Sequence, residues 1–184
     1  MFDVDIKSLL FRLDDYCANA LQAAAGMCVT RTHYEVTIEH FMDRLLEDPN
    51  SDWPIVFRQF GLDAGQFKKS LEEAMEDFKT GNASKPAFSP LLIELFQHAW
   101  MVASIDLGDR KIRSGAILLA FLAKPSFFAS GRYVDLLKTI GREALAKDFW
   151  TILKGSKEAS AKAADYGGES AAPGGAPGGE SALD

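Results

Sequence analysis

Two stretches decide the architecture: Val36-Thr37-Ile38-Glu39-His40-Phe41-Met42-Asp43-Arg44-Leu45-Leu46 and Ile112-Arg113-Ser114-Gly115-Ala116-Ile117-Leu118-Leu119-Ala120-Phe121-Leu122. A shift of 76 positions lays one on the other, pairing Val36 with Ile112, Phe41 with Ile117, Met42 with Leu118, Leu45 with Phe121 and Leu46 with Leu122. The same shift brings Ala23 onto Ala99, and after four extra residues Phe60-Gly61 falls on Ile140-Gly141. Any two amphipathic helices align by period alone, but a shared glycine break and a shared helix order do not follow from period. The expected architecture is all-α: two pseudo-symmetric four-helix repeats, about 14–79 and 90–154, packing their apolar stripes into one core.

Working outward, apolar residues recur every three or four positions and alternating runs are nearly absent. Asp14 can cap a helix through about Cys28 with Leu21, Ala24 and Cys28 on one stripe, and Thr37 can cap the next, with Phe41, Met42, Leu45 and Leu46 inward. Asp48-Pro49-Asn50-Ser51 breaks that helix. A short helix carrying Ile55, Val56 and Phe60 stops at Gly61. Asp63 with Gln66 forms a capping box for a helix that places Phe67, Leu71, Ala74 and Phe78 on one face until Thr80-Gly81-Asn82. Ser89 and Pro90 are N-cap and first residue of a long helix with Leu92, Leu95, Phe96, Ala99 and Trp100.

At 184 residues and 47% apolar composition the chain has room for one sizeable core. From Gly155 on it becomes rich in Ala, Gly and Ser, ending in Ala172-Pro173-Gly174-Gly175-Ala176-Pro177-Gly178-Gly179 and a short tail, which predicts a flexible linker over 155–184 and more protein beyond it. A net charge of −6 without a basic run argues against nucleic acid or an anionic membrane as partner. No apolar stretch is long enough for a membrane span, and the acidic start Met1-Phe2-Asp3-Val4-Asp5 is unlike a signal peptide, so a cytoplasmic location is expected. Cys17 and Cys28 fall on one expected helix about 16 Å apart, too far for a disulfide.

Chemistry is sparse. The glycines 174–179 lack the lysine and hydroxyl of a phosphate-binding loop, so no ATP hydrolysis is expected from this piece. His33 and His40 with Glu35 and Glu39 do not have metal-site spacing, and the cysteines sit in alanine-rich context typical of inert thiols. No catalytic residue, metal site or cofactor is expected in this chain.

The two repeat stretches resemble the repeat core of the amino-terminal domains of Clp-type AAA+ unfoldases, over about residues 6–154. The join Thr80-Gly81-Asn82-Ala83-Ser84-Lys85-Pro86-Ala87-Phe88-Ser89-Pro90, followed by Leu91, Leu95, Ala99 and Trp100, resembles the ClpV branch of bacterial type VI secretion. Ala24-Ala25-Gly26-Met27-Cys28 and Arg31-Thr32-His33-Tyr34 are similar to the same branch, and Ser181-Ala182-Leu183-Asp184 resembles its entry into the first ATPase module. The second copy lacks a counterpart of Glu39-His40, so no role of that pair carries over to Gly115-Ala116.

The resemblance implies a helical domain tethered to a hexameric ring, monomeric when isolated, which catches a contracted secretion sheath for ATP-driven disassembly. ATP and magnesium would belong to the absent modules. The alternative is the adaptor- or client-binding domain of a general Clp protein-quality-control unfoldase, which would want a basic pocket; Arg31, Arg110 and Arg113 are the candidates.

Residues 1–13 form an extension with no counterpart before the second repeat, and Ile6, Leu9, Leu10 and Leu13 lie at helical spacing in it. It either packs simply onto the core or docks one flank and leaves a groove. The second reading places a partner helix from a sheath subunit against Ile6, Leu9, Leu10, Leu13, Phe88 and Leu92.

Overall fold

The structure, a computed structural model, describes residues 5–159. A short helix α1 (Ile6–Phe11) precedes the first repeat: α2 (Asp15–Thr30), a two-residue strand β1 (Glu35–Val36), α3 (Ile38–Leu45), α4 (Asp52–Phe60) and α5 (Ala64–Met75). A second short strand β2 (Ala87–Phe88) precedes the second repeat, which holds α6 (Pro90–Met101), a π-helical turn Val102–Asp106, α7 (Ser114–Ala123), α8 (Pro125–Phe128), α9 (Arg132–Leu137), α10 (Arg142–Lys147) and α11 (Phe149–Ile152). None of the described helices is long and apolar enough to cross a membrane. Most of the linker expected over 155–184 lies outside the described residues.

Local chemistry sets the boundaries. Asp14 Oδ1 accepts the Cys17 amide at 2.8 Å, and Cys17, Ala20, Leu21, Ala24 and Cys28 form the buried stripe of α2. Thr37 caps α3 in a box whose third residue is His40: the Thr37 amide donates to His40 Nδ1 at 2.9 Å and the His40 amide to Thr37 Oγ1 at 3.3 Å. Gly61 ends α4 at φ 74°, the left-handed conformation glycine adopts without penalty. Asp63 accepts from the Gly65 and Gln66 amides, but Gln66 returns no bond to the N-cap, so only half of the expected box forms.

Helix α5 also ends at Met75, short of Phe78. A tight turn, with the Phe78 amide donating to the Met75 carbonyl, lays that ring over His33 and His40, centroids 5.2 and 5.5 Å away.

The repeats are tied by exchange. Strand β2, just before the second repeat, pairs in parallel with β1 of the first, Val36 opposite Phe88. Leu13, just before the first repeat, makes a parallel bridge to Ile112 of the second. The Ser89 amide donates to the Val36 carbonyl and the Asp14 amide to the Ile112 carbonyl, both at 2.9 Å. This is the pseudo-two-fold that the 76-residue shift implies. The copies differ where the second carries α8 in its extra residues and divides the counterpart of α5 into α10 and α11.

A buried polar joint connects α4 and α7. Arg113 donates to both oxygens of Asp52 at 2.8 Å, and Asp52 also accepts from the Gly115 amide and Ser156 Oγ. A Cβ on Gly115 would come 2.9 Å from Asp52 Oδ2 and from Phe149 Cε1, so the position admits no larger residue without a shift. Neither Ser51 nor Arg113 caps its helix with its own side chain. Glu158 does so for both, accepting from the amides of Asp52 at 2.9 Å and Ser114 at 2.7 Å and from Ser114 Oγ at 2.7 Å. The residues after Gly155 are therefore not all linker: Ser156 and Glu158 are buried, because the Ser156 hydroxyl donates to Asp52 and the Glu158 oxygens cap the helix ends of both repeats.

Asp14 faces this joint. One of its oxygens, one of Glu158 and the Cys17 sulfur lie within 4.8 Å of one another, and Asp14 Oδ2 is buried without a donor. Burial, and the negative charges of its neighbours including Asp52, push both carboxyl groups above the usual range. Glu158 is raised the further of the two, since its interaction with Asp14 raises Glu158 and lowers Asp14.

The folded protein thus binds protons more tightly than the unfolded chain. Its stability falls as pH rises from the ordinary carboxylate range through the pair's raised value. Asp14→Asn keeps the cap and removes one of the two crowded carboxyl groups. Thermal melts from pH 5 to 8 will show a flatter profile for the variant and, at pH 8, a gain of about 1 kcal/mol, roughly 3 °C.

Candidate functional site

Helix α1 hangs on the second repeat. Asp5 caps it through the Ser8 amide, Leu9 and Leu13 are buried, the Ile112 amide donates to the Arg12 carbonyl at 2.7 Å, and the Arg12 guanidinium lies 4.6 Å from the Trp100 ring centroid. Another face of α1 overhangs the first repeat. Between them lies an open apolar groove of about 350 Å³. Lys7, Leu10 and Phe11 form one wall, Leu13 and Leu21 lie beneath, and Ala18, Gln22 and Ala25 of α2 with Phe88 of β2 complete it.

Of the residues expected to form a groove, Leu10, Leu13 and Phe88 come together here. Leu92 is completely buried and Leu9 nearly so; both pack in the core because the inner faces of α6 and α1 turn them inward. Ile6 is 41% exposed but does not line the groove. Sequence reasoning passed over the α2 wall. Ala18, Gln22 and Ala25 recur at i, i+4 and i+7, two alanines and one glutamine beside the buried stripe, and that spacing was the available signal.

The other candidates disperse. His40 is pushed down to about 4 by burial first and by His33 and Arg31 next, and both its ring nitrogens are engaged, Nδ1 by Thr37 and Nε2 by His33 Nδ1 at 2.8 Å. Glu39 accepts from the Tyr133 hydroxyl. The two histidines and two glutamates do not converge on a common point. Asp14, Cys17 and Glu158 do, but Asp14 Oδ1 and both Glu158 oxygens already serve helix caps and the Cys17 thiol is held well up by burial. Cys17 and Cys28 are both free and buried. Arg31 is bound by Glu72 at 3.0 and 2.6 Å and Arg113 by Asp52, so two of the three arginines expected for a basic pocket are taken up by carboxylates.

The double repeat with exchanged strands has known relatives. Residues 12–132 match the model of the Clp repeat (R) N-terminal domain. The chain belongs to the Clp repeat N-terminal domain family, in its ClpV branch. The N-domain of ClpV from Vibrio cholerae superposes with a TM-score of 0.81 at 38% identity, over 86% of this chain and 95% of that one. A complex of a ClpV N-domain with a VipB peptide matches at 38% identity and a TM-score of 0.77, over 86% and 97%. The AAA+ ATPase ClpV1 of Pseudomonas aeruginosa is 28% identical over 180 residues, 97% of this chain. This Clp repeat domain spans about a fifth of that relative's length, 20%.

The placement of α1 gives a stability test. Leu9→Ala will cost about 2–3 kcal/mol in urea unfolding because it opens a cavity under the helix. Phe11→Ala, at a side chain 77% exposed, will change stability by less than about 0.5 kcal/mol. Equal costs would mean that α1 is seated differently.

Proposed function

We propose that this chain is the substrate-recognition domain of a type VI secretion AAA+ unfoldase, acting in the bacterial cytoplasm. In this reading the groove between α1 and α2 takes a short amphipathic helix of a sheath subunit, and the ATPase ring in the rest of the protein then disassembles contracted sheath. The observation that carries it is the groove itself: apolar, open, and walled by a helix that stands outside the repeats. Support comes from the similar ClpV N-domain in complex with a VipB peptide.

An occupant burying a few hundred Å² of apolar surface gains several kcal/mol at about 25 cal/mol per Å², most of it offset by association and ordering costs. Micromolar affinity for one domain follows, and a ring of tethered copies supplies avidity. The reading needs no cofactor in this chain. A general Clp client-binding role would rest on a basic pocket, and two of its three arginines are engaged by carboxylates.

The test is a fluorescence-anisotropy titration of the chain with labelled peptides from the amino-terminal regions of sheath subunits, beside an unfolded-client control. One sheath peptide will bind saturably. Ala25→Glu places a carboxylate among the groove's apolar side chains on a helix that tolerates it, so binding will fall at least about tenfold with the thermal melt unchanged. Binding of the unfolded client alone would move the assignment to the general Clp role.

A further inference from the structure

The end of the groove at Phe11 carries a charge pattern that the apolar reading leaves unused. Phe11 stands between the groove and a second hollow lined by Lys7, Ser8, Phe11 and Arg12. Lys111 reaches the same place: its Nζ lies 4.6 Å from the Phe11 ring centroid and donates to the Phe11 carbonyl at 3.0 Å. Lys7 and Arg12 thus share a hollow with exposed Phe11, and Lys111 sits over its ring, on a chain whose net charge is −6.

Elsewhere in the fold cations meet carboxylates: Arg31 with Glu72, Arg44 with Asp43, Arg113 with Asp52 and Lys157 with Asp48. Among the described residues, no carboxylate lies within ion-pair distance of Lys7, Arg12 or Lys111. The acid that caps α1, Asp5, is taken up by the Ser8 amide and hydroxyl. Helix electrostatics account for Lys111 at the carbonyl end of α1, but not for Lys7, which sits in the first turn where a cation is disfavoured. Arg12 and Lys111 lie against aromatic rings, which positions their charges without neutralising them.

We propose that the groove's occupant carries carboxylates immediately beyond its apolar face, and that Lys7, Arg12 and Lys111 form the shelf that receives them. The inference rests on the groove reading above and adds polarity to it. An amphipathic helix can enter an apolar groove in either direction, and a cationic shelf at one end selects the direction that brings its acidic flank to Phe11. Steering by the shelf would raise the association rate at low ionic strength, while the apolar wall governs residence.

The test uses the full chain and labelled amphipathic helical peptides with leucine at i, i+3, i+4 and i+7. Two Glu residues are added at one end or the other, or two Gln residues at the same places. The peptide acidic at the matching end will bind about tenfold tighter than its Gln counterpart at low salt, an advantage that shrinks to under about threefold at high salt. Arg12→Gln/Lys111→Gln will remove the advantage and leave the Gln peptide's affinity within about twofold, which also reports that the groove is intact. Equal binding of Glu and Gln peptides, or an advantage that survives the double variant, overturns the shelf. Failure of every peptide to bind the unaltered chain overturns the groove reading and the shelf with it.

Discussion

The fold depends on the ion pair between Arg113 and Asp52, buried where the amino-terminal ends of α4 and α7 meet. A buried pair repays its desolvation only when its remaining lone pairs and protons find partners. Asp52 is nearly saturated, with two bonds from Arg113, one from the Gly115 amide and one from Ser156 Oγ. Arg113 Nη1 finds none, but the guanidinium lies 5.3 and 5.7 Å from the ring centroids of Phe149 and Trp150, and that face contact offsets part of the loss. Trp53 closes the joint by donating its indole proton to the Ser114 carbonyl at 2.7 Å.

Geometric consequences follow outward from that joint. Because α4 belongs to the first repeat and α7 to the second, the pair holds the repeats at one mutual angle, and Gly115 must stay small for the helices to approach. Glu158 arrives from beyond the second repeat and caps both helices, so the point where the chain leaves the domain is part of its core.

The strand exchange explains why a groove exists. Leu13 must bridge to Ile112 on the far repeat, which carries the chain across the seam and leaves α1 overhanging α2. Leu9 pins the helix, and the opposite wall offers alanines, whose small side chains leave the space that larger residues would fill. Depth comes from the alanines on α2, and direction comes from the cations beside Phe11.

Much of the fold was legible in the sequence. Asp14, Thr37 and Asp63 mark helix starts because capping is a local property of a side chain and the next three amides, while Ser89 holds its N-cap position without a side-chain bond and Pro90 fixes the first turn. Gly61 marks a stop for an equally local reason, and the 76-residue shift exposed the symmetry because repeated burial demands repeated spacing. Where long-range contacts compete with local pattern, the reading fell short. Phe78 continues the α5 stripe but leaves the helix to cover two histidines, and Ser156 and Glu158 look like linker but complete two helix ends 40 or more residues away. The groove was legible only in part. Amphipathic spacing shows that Leu9, Leu10 and Leu13 have an apolar environment, but not whether it is core or open wall, and Leu92 reads the same as Phe88 until packing separates them. The sequence by itself determined the elements, their caps and their duplication, since these are set within a few residues. Only the tertiary structure decided, among the described residues, which apolar side chains remained uncovered and which cations met no carboxylate, because both depend on what the far repeat places opposite them.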